Sequence, residues 1–210
     1  DFLPTDMLHR STHRIAAATP PLLGLPGDAL SVLARTLADP LRPLELIAFA
    51  NTCHAVYAAV QGELLKLQEV HANAQVLCTK VGTTCCKLSG SADMMWSDKN
   101  IDAADSTVLA QIIASGALPK LERLDLGANK IGDAGLKALC DALAMGALPQ
   151  LEYLGLGKNQ IGDAGLDSLA KAFAMGALVN LKELIVDDGP LGTEHPALKA
   201  ACEARRINLP

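Results

Sequence analysis

The sequence predicts an α/β solenoid, built from a strand and a helix that recur at a fixed period, with an all-α segment capping its N-terminal edge. First, residues 121–150 and 151–180 repeat each other without a gap at an offset of 30 residues (151 − 121 = 30), and a third start falls at Leu181. Second, apolar spacing within each repeat changes from alternation to a helical stripe. Third, half of the residues are hydrophobic but only 3% are aromatic, a composition typical of solenoids.

The strand of each repeat is predicted from its alternation. Leu124 and Leu126 are separated and flanked by polar residues, which is the pattern of a half-buried strand. Asn129 follows where the chain leaves this strand, and Asn159 holds the same position one repeat later. A buried amide there bonds the backbone of its turn and of the neighbouring repeat. We therefore predict a structural role for both asparagines.

The helix of each repeat is predicted from its stripe and its ends. Leu136, Leu139 and Leu143 lie on one helical face. Asp133 precedes this stripe, so we expect its carboxylate to cap the helix that follows it. Gly146 is expected to supply the left-handed residue at the helix C-terminus.

These positions resemble a known repeat family. The frame LxxLxLxxNxI is the leucine-rich-repeat signature, and the long period with the element IGDAGL is similar to the ribonuclease-inhibitor type. The resemblance implies a right-handed horseshoe arc with parallel strands inside and helices outside. Four repeats, starting near 91, 121, 151 and 181, would make up a domain of residues 81–210.

The first of these repeats is degenerate, as terminal repeats usually are. Met94, Trp96 and Ile101 take the positions that leucine and isoleucine hold in the next repeat. We therefore expect Trp96 in the core rather than on a ligand-binding surface.

Two further segments precede the repeats. Residues 1–20 are predicted to be a poorly ordered tail. Residues 21–80 are predicted to form three helices with short links, the second reaching Val60 and the third covering 63–80. This part resembles an F-box, a resemblance carried mainly by Leu25, Pro26, Leu30 and Leu33. It implies that these four residues contact the linker subunit of a cullin-based ubiquitin ligase. The alternative is a helical cap with no binding role.

Charge and hydropathy exclude two classes of partner. The net charge is −5, the acidic excess lies within residues 91–210, and no basic cluster suited to phosphates is present. No apolar run approaches the ~20 residues that a membrane-spanning helix needs. We therefore expect neither nucleic acid nor a membrane as a partner.

The cysteines and the N-terminal residues bear on location. Six cysteines are scattered along a chain too long to need disulfides, so we expect reduced thiols and a cytoplasmic or nuclear location. The first residues lack both an initiator methionine and a signal-peptide core, and we interpret the sequence as a processed or partial chain.

No catalytic or cofactor motif is found. The segment GLGKNQIG lacks the first glycine and the hydroxyl residue of a phosphate-binding loop. Adjacent Cys85 and Cys86 do not have zinc-site spacing, and the five histidines are dispersed. We expect no cofactor, no metal ion and no enzymatic activity.

A binding surface remains. Strand side chains that alternate with the buried leucines are expected to face the concave side, where acids outnumber bases. The predicted contact residues are Met95, Arg123, Asp125, Tyr153, Lys158, Glu183, Ile185 and Asp187. This face would bind a protein partner through a basic segment, with an aromatic anchor at Tyr153. The alternative is a solvated strand face without a partner.

Three functions are compatible with these observations. The first hypothesis is a non-catalytic protein-interaction module or scaffold. The second is an F-box-type substrate receptor of a cullin-based ubiquitin ligase, with the repeats holding the substrate. A third, a regulator of small GTPases, follows only from analogy with other repeat proteins of this type.

Overall fold

The structure is a computed structural model that describes residues 54–186 and 195–210, with side chains described from residue 65 onward. It divides into two compact units, Asp1–Asn73 and Ala74–Pro210, and all four strands belong to the second. The predicted tail, the four F-box-like positions (Leu25, Pro26, Leu30, Leu33) and Asp187 lie outside the described residues.

Helices and strands alternate along the described chain. The elements are α1 His54–Val81, α2 Cys85–Leu88, β1 Asp93–Met95, α3 Ala103–Ala114, β2 Arg123–Asp125, α4 Gly132–Leu143, β3 Tyr153–Gly155, α5 Asp163–Ala174, β4 Glu183–Ile185 and α6 Pro196–Arg205. The strands form one parallel sheet in the order β1-β2-β3-β4. Each parallel pair is joined through a helix, which confirms the predicted α/β repeat architecture.

Helix α1 corrects one expectation. The predicted link between a second helix ending at Val60 and a third starting at residue 63 does not exist, because α1 runs for 28 residues through Gly62. A single glycine costs a helix only about 1 kcal/mol, which its helix-forming neighbours outweigh. Among the described helices, none combines the length and the apolar character that crossing a bilayer requires.

The strands align in register, so that each repeat places the same residue position beside its neighbour. Met94, Leu124, Leu154 and Leu184 form one buried row across the sheet. Trp96 begins the next buried row and is only 5% exposed. The degenerate first repeat and the core position of Trp96 are therefore confirmed.

The helices pack closely because of a glycine in their first turn. A Cβ built on Gly135 of α4 would lie 3.0 Å from the Ser106 Cβ and 3.1 Å from the Ala103 Cα, both in α3. In α5, the corresponding atom on Gly165 would lie 2.7 Å from Asp133 Oδ1 of the preceding repeat. The second glycine of the IGDAGL element thus permits the short helix–helix distance.

Asp133 does not cap its own helix, which corrects the prediction. The N-cap position of α4 is Ile131, which makes no side-chain capping bond. The Asp133 Oδ1 instead accepts hydrogen bonds from the backbone N–H of Gly162 (2.7 Å) and Gly165 (3.2 Å), at the start of α5. The carboxylate therefore satisfies helix donors in the next repeat, favourably placed near that helix N-terminus.

The amide of Asn129 joins two repeats. Its Nδ2 donates to the Leu126 carbonyl of its own turn (2.8 Å) and to the Trp96 carbonyl of the preceding repeat (2.8 Å). Its Oδ1 accepts from the backbone N–H of Lys99 (3.0 Å) and Ile101 (2.9 Å). Asn129 is 4% exposed, so these bonds form away from water.

Asn159 makes a similar set of bonds one repeat further on. Its Nδ2 donates to the carbonyls of Leu156 and Leu126, each at 2.8 Å. Its Oδ1 accepts a longer bond from the Ile131 N–H, at 3.4 Å. Among the described residues, no buried side-chain nitrogen or oxygen lacks a hydrogen-bond partner.

The last described segment pairs with β4. The Leu184 N–H donates to the Asn208 carbonyl (2.9 Å), and the Asn208 N–H donates to the Lys182 carbonyl (2.8 Å). Arg205 reinforces this end, since its guanidinium donates to the carbonyls of Ala177 (2.5 Å) and Leu178 (2.7 Å) after α5. The edge of β4 is thus covered by the chain itself, a known protection against edge-to-edge association.

Replacing Asn129 by alanine is expected to lower the free energy of unfolding by about 1–3 kcal/mol, because buried carbonyl and N–H groups of two repeats lose their partner. Thermal and urea unfolding of the variant measure this change. Lys130→Ala is the matched control, since Lys130 is adjacent and exposed. Wild-type stability in Asn129→Ala would contradict the structural role of the amide.

Candidate functional site

The candidate site is the side of the sheet opposite the buried leucine row, here called the strand face. It consists of two rows of side chains that the strand register places side by side. The first row is Asp93, Arg123, Tyr153 and Glu183, and the second is Met95, Asp125, Gly155 and Ile185. Because strand side chains alternate between the two sides of a sheet, both rows point away from the buried leucine row.

Arg123 lies between two neighbours in the first row. Its Cζ lies 4.4 Å from the centroid of the Tyr153 ring, a cation–π contact. Its Nε lies 3.8 Å from Asp93 Oδ1, at the outer limit of an ion pair. The guanidinium is therefore held over the tyrosine while part of its surface remains exposed.

The Tyr153 ring extends toward the second row. A Cβ built on Gly155 would lie 3.1 Å from the Tyr153 hydroxyl oxygen and 2.8 Å from Asp125 Oδ1. Gly155 thus leaves space for both side chains, which a larger residue would displace. The result is a compact group in which an aromatic ring has a cation on one side and a carboxylate near its hydroxyl end.

Asp125 is fixed by its own turn. Its Oδ1 accepts a hydrogen bond from the Gly127 N–H at 2.9 Å. Ser97, in the preceding repeat, donates from its hydroxyl to the Gly127 carbonyl at 3.1 Å. The bond from Gly127 orients the Asp125 carboxylate, and the bond from Ser97 holds the turn that contains Gly127.

The pKa of the Tyr153 phenol is raised above its ordinary value of 10. Partial burial of the ring is the largest cause, followed by the negative charges of Asp125 and Glu183. Arg123 acts in the opposite direction, since a nearby cation favours the phenolate. The hydroxyl is therefore protonated at neutral pH and is available as a hydrogen-bond donor.

Most of the predicted contact residues fall on this face. Met95 is 57% exposed, whereas Tyr153, Asp125, Glu183 and Ile185 are half-buried. Their proposed role in binding stays a prediction.

Lys158 does not lie on a strand. It follows β3 in a turn with left-handed backbone (φ 59°), and its side chain is exposed at the end of the strand face. The sequence pattern grouped it with strand residues because it follows the alternating stretch. Lys158 therefore belongs to neither of the two rows.

Two side-chain contacts between adjacent repeats were not predicted from the sequence. They are the Arg123–Tyr153 stack and an ion pair between Lys182 Nζ and Glu152 Oε1 (2.6 Å). In both cases the two residues occupy the same repeat position, 30 residues apart (153 − 123 = 30; 182 − 152 = 30). That offset was the available signal, because it places equivalent residues of adjacent repeats side by side in a parallel sheet.

The described residues contain no group of three or more histidine, cysteine, aspartate or glutamate side chains arranged to hold a metal ion. The strand face groups one cation, one phenol and carboxylates. These are groups that recognise a surface by charge and shape.

Comparison with known proteins agrees with the geometry. The family model described as Leucine Rich repeat matches residues 117–140 and 148–170. These two stretches of the chain are therefore similar to leucine-rich repeats. The matched ranges cover β2 with most of α4, and β3 with most of α5. Each of these two repeats contains one of the two buried asparagines.

A curated relative is similar over a wider range. The ribonuclease inhibitor of Mus musculus is 29% identical over 128 residues, which cover 54% of this chain and 27% of the relative. The chain therefore spans about a quarter of the length of this relative.

Charge neighbours of Tyr153 should move its pKa in opposite directions. Asp125→Asn is expected to lower the pKa of the phenol, because a negative charge near the hydroxyl is removed. Arg123→Gln is expected to raise it further, because the cation that favours the phenolate is lost. Spectrophotometric titration of phenolate absorbance measures both shifts, in a Tyr57→Phe background that leaves Tyr153 as the sole tyrosine. The same shift in both variants would contradict the geometry.

Proposed function

We propose that this chain is a non-catalytic protein-interaction module or scaffold whose leucine-rich repeats bind a protein partner through the strand face. The observation that carries the proposal is the Arg123–Tyr153 stack in the middle of the sheet. Arginine and tyrosine are among the residues that contribute most to protein interfaces, and this pair is held in place before any partner arrives.

The partner is expected to bring a basic segment. Around the stack, the acidic residues of the strand face are Asp93, Asp125 and Glu183, and Glu122 and Glu152 come just before Arg123 and Tyr153 in the sequence. Arg123 is stacked on Tyr153, and Lys182 is paired with Glu152. The negative charges of Asp125 and Glu183 therefore remain beside the aromatic ring. A lysine or arginine of the partner would complement them and would bind faster at low salt.

The relative supports the class of function only. It is a ribonuclease inhibitor by name, and a ribonuclease is a protein target. This chain aligns with about a quarter of that relative, and its own partner is proposed from the strand face instead. The location predicted for this chain, the cytoplasm or the nucleus, likewise stays a proposal.

Substituting Tyr153 by alanine tests the proposal. Affinity capture with wild-type and variant baits, compared side by side, identifies the proteins that depend on this ring. We expect about 2 kcal/mol or more loss of binding free energy for such a protein, as for central aromatic anchors elsewhere. The free energy of unfolding is expected to change less in Tyr153→Ala than in Leu154→Ala. The Leu154 substitution removes a buried core side chain and should lower that free energy by about 2–5 kcal/mol.

The control variant is Lys171→Ala, an exposed charge on α5 and outside the strand face. It should keep the affinity of the wild type. If Tyr153→Ala binds every captured protein as the wild type does, the strand face is not the binding site. Competition by an arginine-rich peptide, but not by a glutamate-rich one, would support the basic segment.

A second proposal is an F-box-type substrate receptor, which rests on the sequence around Leu25 and Pro26 alone. Calorimetric titration of the full chain with the linker subunit of a cullin-based ligase tests it. Binding that is lost in Leu33→Lys and kept in Lys171→Ala would support a receptor. Absence of binding by the wild-type chain would leave the interaction-module proposal standing and would remove this one.

A further inference from the structure

Two thiols are in contact just before the first strand. Cys78 lies in the last turn of α1 and Cys85 is the first residue of α2, and their sulfur atoms are 3.6 Å apart. Both cysteines are buried. The link between them turns sharply at Gly82 (φ 81°), and the Thr83 N–H donates to the Cys78 carbonyl at 2.8 Å.

We propose that Cys78 and Cys85 are an oxidation site, at which a peroxide or a small disulfide compound closes an intramolecular disulfide between α1 and α2. The proposal does not depend on the function assigned to the strand face.

The geometry favours this closure. A disulfide bond is about 2.05 Å long, so the sulfur atoms need to approach by only about 1.5 Å. Helix α2 has only four residues, so a small shift at Cys85 disturbs few helical hydrogen bonds. Because the two thiols are already in contact, the second step is an intramolecular reaction.

With hydrogen peroxide as the oxidant, the chemistry balances in two steps. The Cys85 sulfur attacks one peroxide oxygen, the O–O bond breaks, and Cys85 becomes a sulfenic acid with release of one water. The Cys78 sulfur then displaces the hydroxyl group from Cys85, and its proton leaves with that group as a second water. Two thiols lose two electrons and two protons, and one peroxide becomes two waters.

The order of these steps follows from the surroundings of Cys78. Burial, with the hydrogen bond and charge of Cys85 as further causes, raises the pKa of the Cys78 thiol to about 12. Cys78 therefore keeps its proton at neutral pH, which makes it a poor initial nucleophile. This assigns the first attack to Cys85 and the resolving role to Cys78.

The other described cysteines are placed differently. Cys86 is exposed, and as the next residue on α2 its side chain points about 100° away from that of Cys85. Cys140 lies on α4 and Cys202 on α6, and burial raises their pKa values to about 12 and about 11. Oxidation of Cys86 alone is therefore the competing reaction.

Peptide mapping of the full chain distinguishes these reactions. The protein is treated with hydrogen peroxide, its remaining thiols are alkylated under denaturing conditions, and it is digested with trypsin. Cleavage after Lys66, Lys80 and Lys87 separates Cys78 (residues 67–80) from Cys85 and Cys86 (residues 81–87). We expect these two peptides to be joined by a bond that a reductant breaks, with loss of two alkylatable thiols per chain.

Three variants assign the bond. Cys86→Ser alters only an exposed thiol and should keep the joined peptides, whereas Cys85→Ser and Cys78→Ser should lose them. The proposal is overturned if the wild type yields no joined peptides, if Cys86→Ser abolishes them, or if Cys85→Ser retains them. Since Cys86→Ser is expected to fold, the decisive positive result does not rely on a buried substitution.

Discussion

The hydrogen bonds of one buried amide hold the repeats in register. At the point where each strand ends, two carbonyls and the N–H groups of the neighbouring turn face the interior and need partners away from water. Asn129 and Asn159 supply them, each bonding its own turn and the repeat before it. The strands have only three residues each, so these bonds add to a short set of ladder bonds that align the repeats. The aligned rows of core and surface side chains follow from this alignment.

The repeat of Asn129 and Asp133 is bonded to the repeats on both of its sides. The asparagine amide acts toward the preceding repeat, whereas the Asp133 carboxylate acts toward the following one. Gly165 allows the close helix approach that places this carboxylate at the next helix start. A local change in one repeat is therefore felt by both neighbours, as expected for an array stabilised through nearest-neighbour interfaces.

Much of the fold was predictable from the sequence, and for physical reasons. Alternation at Leu124 and Leu126 fixes which strand side is buried, and the constant offset fixes which residues are adjacent. The capping role of Asp133 was not predictable, because it depends on how closely two helices approach. For the strand face, the sequence indicated Tyr153 as the prominent side chain. The stack with Arg123 was not predicted, because the two residues belong to different repeats and meet only through the pairing of β2 with β3. Whether this group binds a partner depends on a second molecule, which one chain does not encode.

The similarity of two adjacent repeats has a consequence for the length of the array. The repeat of Leu124 and that of Leu154 share most of their residues, and the amide and carboxylate contacts use positions present in both. A tandem copy of residues 121–150 inserted after the original would meet neighbours that already fit it. An array of such repeats can therefore be lengthened by one whole repeat without a new kind of core contact. The contacts that an added repeat would need are already present between the existing repeats.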